Sequence, residues 1–149
     1  MVFDSKAGNI VCGDTNAAED VFVADRVTHA VTRVSVATGG AEQHGTGDTF
    51  LEGGSVSAAG GRVAFASLAR DLVPADTNAV YDVFVRDLRG GATVRVSAAA
   101  AGGQGDHRSL DARISAGGRV VAYRSVARNL VAGDTNGRPD IFSGRPLRS

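Results

Sequence analysis

One motif recurs three times along the chain and limits what it can fold into: Asp-Thr-Asn, then a further Asp four residues on that opens an apolar run. The copies are Asp14-Thr15-Asn16 leading to Asp20-Val21-Phe22-Val23, Asp76-Thr77-Asn78 leading to Asp82-Val83-Phe84-Val85, and Asp134-Thr135-Asn136 leading to Asp140-Ile141-Phe142. The spacings are 76 − 14 = 62 and 134 − 76 = 58, a period of about sixty residues. The likeness extends on both sides. Upstream lie Phe3-Asp4-Ser5, Phe65-Ala66-Ser67 and Tyr123-Arg124-Ser125; downstream, Arg33-Val34-Ser35 matches Arg95-Val96-Ser97. A period of this length calls for stacked supersecondary units, each of which covers its apolar face only by packing on a neighbour.

Within a unit the apolar runs have strand length, separated by glycine-rich turns, and no stretch shows a 3.6-residue apolar period. The middle unit is expected to hold strands at about Ser55–Ser57, Arg62–Ser67, Asp82–Leu88 and Thr93–Ala98. The next unit repeats them at Ala112–Ser115, Arg119–Ser125 and Asp140–Ser143. Gly60-Gly61 and Gly117-Gly118 suit hairpins between the first two strands, because glycine takes positive φ without steric cost. Arg89-Gly90-Gly91 reads as the third hairpin, with Val27 to Ala30 its counterpart one unit earlier. Loops at Thr38–Gly47 and Ala99–Gly105 join the units, and the difference of four between the two spacings is assigned to a longer first connector.

Four short antiparallel strands per unit is the sequence form of β-propeller blades. The run Ser57-Ala58-Ala59-Gly60-Gly61-Arg62-Val63-Ala64-Phe65-Ala66-Ser67, followed by Asp82-Val83-Phe84-Val85-Arg86-Asp87 and Val94-Arg95-Val96-Ser97, resembles the TolB-type, WD-like β-propeller repeat of bacterial proteins. The chain departs from it by inserting the Leu-Val-x-x-Asp-Thr-Asn loop between the second and third strands. The resemblance implies an all-β fold of propeller blades, about two and a third of them, forming an incomplete ring. They divide as a partial blade at 1–37, a blade at 38–98, a partial blade at 99–143 and a tail at 144–149. The missing blades are expected from the rest of a longer chain or from homo-oligomerisation, and the aggregation hazard of exposed strand edges favours the first. The resemblance also implies a bacterial, periplasmic or extracellular setting, although Met1-Val2-Phe3-Asp4 does not open an export signal.

The repeated loop offers side-chain oxygens at relative positions 1, 3 and 7. Asp14, Asn16 and Asp20, Asp76, Asn78 and Asp82, and Asp134, Asn136 and Asp140 are therefore candidate calcium ligands, with Glu19 an extra oxygen in the first loop. The competing reading makes the same residues Asx turns, in which side-chain oxygens accept from backbone amides two or three residues on. Catalysis finds no carrier. There is no Gly-x-Ser-x-Gly elbow, and His29, His44 and His107 fall at unrelated places in turns and connectors. Sixteen basic and sixteen acidic residues cancel, which disfavours nucleic acid as a partner. Cys12 is alone, and no apolar stretch reaches membrane-spanning length. The repeated aromatics, Phe3, Phe65 and Tyr123 with Phe22, Phe84 and Phe142, are expected to pack between neighbouring units. The expected role is a non-enzymatic scaffold or binding module of unknown ligand. The alternative is the propeller portion of a larger peptidase or polysaccharide lyase, with its catalytic residues outside this chain.

Overall fold

The computed structural model describes residues 1–43, 48–100 and 102–146, and among these the chain is all-β, without a helix and so without one long and apolar enough to cross a membrane. His44 and the end of the tail at 147–149 lie outside the described residues. The strands are β1 (Val2–Ser5), β2 (Asp20–Ala24), β3 (Val31–Arg33), β4 (Thr49–Val56), β5 (Arg62–Ser67), β6 (Asp82–Asp87), β7 (Thr93–Arg95), β8 (Ser109–Ile114), β9 (Val121–Ser125) and β10 (Asp140–Gly144). They form three antiparallel meanders, β1-β2-β3, β4-β5-β6-β7 and β8-β9-β10.

Packing explains why the strands look different in sequence. β5 and β6 belong to the middle sheet, which is covered on both faces. Val63, Phe65 and Phe84 pack with Val21 and Val34 of the first sheet. Ala64, Val83 and Val85 pack with Val121 and Tyr123 of the third. Covered twice, Val63 to Ser67 is buried without interruption, whereas β9 alternates buried and exposed because one of its faces is open. The repeated aromatics are direct cross-strand partners, Phe3 opposite Phe22, Phe65 opposite Phe84 and Tyr123 opposite Phe142. Their rings stack at 5.5, 5.9 and 5.9 Å. All three pairs stack within a sheet, and Phe65, Phe84, Tyr123 and Phe142 also pack between sheets; each fully buried ring contributes on the order of 2–3 kcal/mol.

The middle and third sheets each join the preceding sheet through the same backbone bond. Thr49 N donates to Glu19 O at 3.1 Å, and Ser109 N donates to Tyr81 O at 2.7 Å. Buried Arg86 adds a tie between the first and middle sheets, donating to Ala37 O and Gly91 O at 2.9 Å each.

Several strand limits differ from the pattern-based expectation, and each difference has a local cause. β4 and β8 begin at Thr49 and Ser109, ahead of the expected Ser55 and Ala112. Each carries a bulge, between Phe50 and Ser55 and between Leu110 and Arg113, that breaks the two-residue alternation. The four extra residues of the first spacing are likewise shared. Two lie between Glu42 and Thr49, seven apart where Gln104 and Ser109 are five apart. The other two lie in the β4 bulge, where Thr49 and Ser55 are six apart and Ser109 and Arg113 four. β7 stops at Arg95, short of Ala98, because the Ser97 hydroxyl takes a sheet hydrogen bond from Val83 N. The hairpin glycines that take positive φ include Gly60 and Gly118, at 68° and 69°, and Gly91 at 65°.

Candidate functional site

Each Asp-Thr-Asn loop is shaped first by its asparagine. Asn16, Asn78 and Asn136 donate through Nδ2 to Asp20, Asp82 and Asp140 Oδ2, at 2.9 Å in every case. Their Oδ1 atoms accept from the amide two residues on, Ala18 at 2.9 Å, Val80 at 3.4 Å and Arg138 at 2.7 Å, which is the Asx geometry. The residue after the asparagine is left-handed in all three loops: Ala17 at 55°, Ala79 at 57° and Gly137 at 65°. Only the third uses glycine there, so two loops hold a strained alanine.

In the first two loops the two aspartates come together, Asp14 with Asp20 and Asp76 with Asp82, and an arginine stands among their oxygens. Arg33 Nη1 lies 3.2 Å from Asp14 Oδ1, 3.5 Å from Asp20 Oδ2 and 2.6 Å from Glu42 Oε1. Its Nη2 donates to Gly13 O at 3.1 Å. Arg95 Nη1 repeats the arrangement, 3.3 Å from Asp76 Oδ1 and 3.2 Å from Asp82 Oδ2, with Gln104 Oε1 at 3.4 Å. Both arginines reach in from the fourth strand position of their unit, directly opposite Phe22 and Phe84. Two residues on, Ser35 and Ser97 donate to Asp20 and Asp82 Oδ1 at 2.5 and 2.6 Å. The same hydroxyls accept from Val21 N and Val83 N at 3.0 and 2.9 Å.

The connectors close the site. Val36 bridges Glu42 and Ala98 bridges Gln104, so each connector folds back as a turn. Glu42 accepts from Thr15 N and Oγ1 at 2.8 and 2.7 Å. Gln104 accepts from Thr77 N at 3.0 Å and donates to Ala75 O at 2.7 Å. Gln43, buried, donates to Asp20 Oδ1 at 3.1 Å. Glu19 does not join this cluster; it meets Lys6 at 4.0 Å.

Electrostatics follow from the geometry. Burial, and then the neighbouring Asp20 or Asp82, pushes Asp14 and Asp76 above the ordinary carboxylate value, with Arg33 or Arg95 pulling the other way. Burial acts to raise Glu42 too, but the hydrogen bonds from Thr15 and Arg33 outweigh it and bring the group down to about 2.

Asp14, Asp20 and Glu42 set one oxygen each within 4.8 Å of one another, the arrangement a cation wants. Calcium coordinates six to eight oxygens at about 2.3–2.6 Å, and in these two loops a guanidinium already supplies the positive charge. The third loop differs. Asn136 and Asp140 keep the Asx geometry, yet no ion pair to Asp134 or Asp140 forms among the described residues. The two described histidines stand outside the clusters, His29 in the β2–β3 turn at φ 59° and His107 beside Asp106 at 3.2 Å.

The arginine, serine and Glu/Gln members of the site carry a readable signal. Arg-Val-Ser recurs with the loop, and Glu42 and Gln104 each follow their arginine by nine residues, 42 − 33 and 104 − 95. What the sequence does not carry is the pairing that folds these residues onto the aspartates. The chain matches no family model, and no curated protein matches it in sequence.

Proposed function

We propose that the chain is a non-enzymatic scaffold or binding module built from β-propeller blades of the TolB-like kind, each complete unit closed by an arginine clasp. The observation that carries this reading is that the polar groups of the first two loops are consumed by one another in the same way. Asp, Asn, Arg, Ser and Glu or Gln pair with one another, each serine hydroxyl being held by both an aspartate and a backbone amide, and among the described residues Arg33 Nε is the one buried side-chain nitrogen or oxygen left without a partner. Repetition fits structural work, since every unit needs the same closure. Support for the blade reading comes from the stacking of successive sheets through one repeated backbone bond, Thr49 N to Glu19 O and Ser109 N to Tyr81 O. The clasp takes the place of a bound ion in the first two loops, so calcium is not required there for stability.

Electron microscopy of the protein in its assembled form tests the blade reading. Sheets arranged radially about a central channel are expected, and an open stack or a closed sandwich would overturn it.

A further inference from the structure

We propose that the connector between the first and middle sheets is an edge guard, in which Thr38 holds the outer edge of β7 shut against pairing with a second copy of the chain. The guard depends on sheet order alone, whether or not the units close a ring. The last strand of an antiparallel meander turns the N–H and C=O of every second residue away from its sheet, and such exposed groups are a template for another strand. Among the described residues, β7 pairs only with β6. Thr93 bonds outward through both its N and its O, so Thr93 and Arg95 are the two residues of β7 whose backbone groups face away from β6.

Thr93 is nonetheless only 3% exposed. One side chain stands where a neighbouring strand would lie. Thr38 Oγ1 accepts from Thr93 N at 3.0 Å and donates to Thr93 O at 3.3 Å, so a single hydroxyl serves the donor and the acceptor that a paired strand would meet with its own C=O and N–H. One residue on, Gly39 N donates to Gly91 O at 3.2 Å, which lays main chain as well as side chain along this edge.

The connector is pinned at the residues that flank the guard. Thr93 Oγ1 donates to Val36 O at 2.5 Å, and buried Arg86 donates to Ala37 O at 2.9 Å. The turn beyond is closed by Ala37 N to Ala41 O and Gly40 N to Ala37 O, 2.9 Å each, with Gly39 and Gly40 both at φ 90°, which glycine adopts without strain. Thr38 lies 55 positions before the residue it covers, so the edge is shut only once the first and middle sheets have packed together. What the guard excludes is another β7. Two antiparallel copies related by a two-fold axis can set Thr93 opposite Thr93, each exchanging both backbone bonds with the other.

Hydrogen exchange at single amides and light scattering, both on the 149-residue chain, test the guard with Thr38→Val, which keeps the branched shape and removes the hydroxyl. The Thr93 amide is expected to exchange roughly tenfold faster, as for loss of one hydrogen bond. The Val83 amide, held in the same sheet by the Ser97 hydroxyl, should keep its rate. With rising concentration the variant should associate more than the parent, and the amide signals of Thr93 and Arg95 should move as it does. Thr38→Ser, which keeps the hydroxyl, should match the parent in both measurements. Unchanged exchange at Thr93, association no greater than the parent's, or association that leaves the β7 signals in place would overturn the guard. So would equal acceleration at Val83, the mark of a general loosening, or a serine variant that behaves as the valine one does.

Discussion

Replacing Arg95 by alanine is the sharpest probe of the clasp. The guanidinium lies 3.3 Å from Asp76 and 3.2 Å from Asp82, whose side chains are 4% and 0% exposed. Without it, two buried carboxylates face each other with only the weaker pull of Arg70 on Asp76 to offset them. Removing one partner of a buried ion pair costs about 3–5 kcal/mol, several times the effect of an exposed pair. In a chain of this size that corresponds to a fall in Tm of about 10 °C, or of about 2 M in the urea midpoint. The loss should also depend on pH. Asp76 already titrates above its ordinary value because of burial and Asp82, and losing the arginine raises it further. A carboxyl raised in the folded state weakens that state above its folded pKa, and the penalty lifts as pH falls toward the unfolded value. The difference between Arg95→Ala and the parent should therefore narrow between pH 7 and pH 4, and adding Asp76→Asn should restore part of the stability at pH 7. Urea titrations at both pH values measure this. A destabilisation under about 1 kcal/mol, the range of exposed pairs, and equal at both pH values would refute the clasp as an energetic unit.

Two further outcomes follow from the same loops. Ala79→Gly relieves a left-handed alanine at φ 57°, worth about 1–2 kcal/mol, against about 0.5–1 kcal/mol of added chain entropy in the unfolded state, so thermal melts should show a net gain of up to about 1 kcal/mol; a clear loss would mean that the alanine methyl has a packing role. Glu42, held at about 2 by Thr15 and Arg33 against burial, contributes stability that is complete above its unfolded pKa and lost as pH falls through about 2. Glu42→Gln should flatten the acid limb of the stability profile between about pH 4.5 and pH 2, and an unchanged limb would rule Glu42 out as its source.

The sequence was most informative where physical patterns are local. Hairpin glycines, apolar runs and the sixty-residue period placed five strands, β5, β6, β7, β9 and β10, close to where they form, and Asp-Thr-Asn located the aspartates and asparagines of the loops. It was least informative at β4 and β8, where the bulges between Phe50 and Ser55 and between Leu110 and Arg113 destroy the alternation that marks a strand. The connectors were legible only in part. Glycine-rich stretches read as loops joining the units, with no sign of the bridges from Val36 to Glu42 and Ala98 to Gln104 that fold them back as turns.

The sequence by itself determined an all-β chain of repeated units and the composition of its loops, because strand period, turn chemistry and internal repetition depend on neighbours a few residues apart. Only the tertiary structure decided what stands among the loop oxygens. Arg33 and Arg95 lie 19 residues along the chain from Asp14 and Asp76 (33 − 14 and 95 − 76), and strand pairing rather than sequence proximity carries them in. An aspartate pair written as a cation site is thereby filled, in two units, by the protein's own guanidinium. In the third, Asn136 holds Asp140 at the same 2.9 Å, with no ion pair to that carboxylate among the described residues.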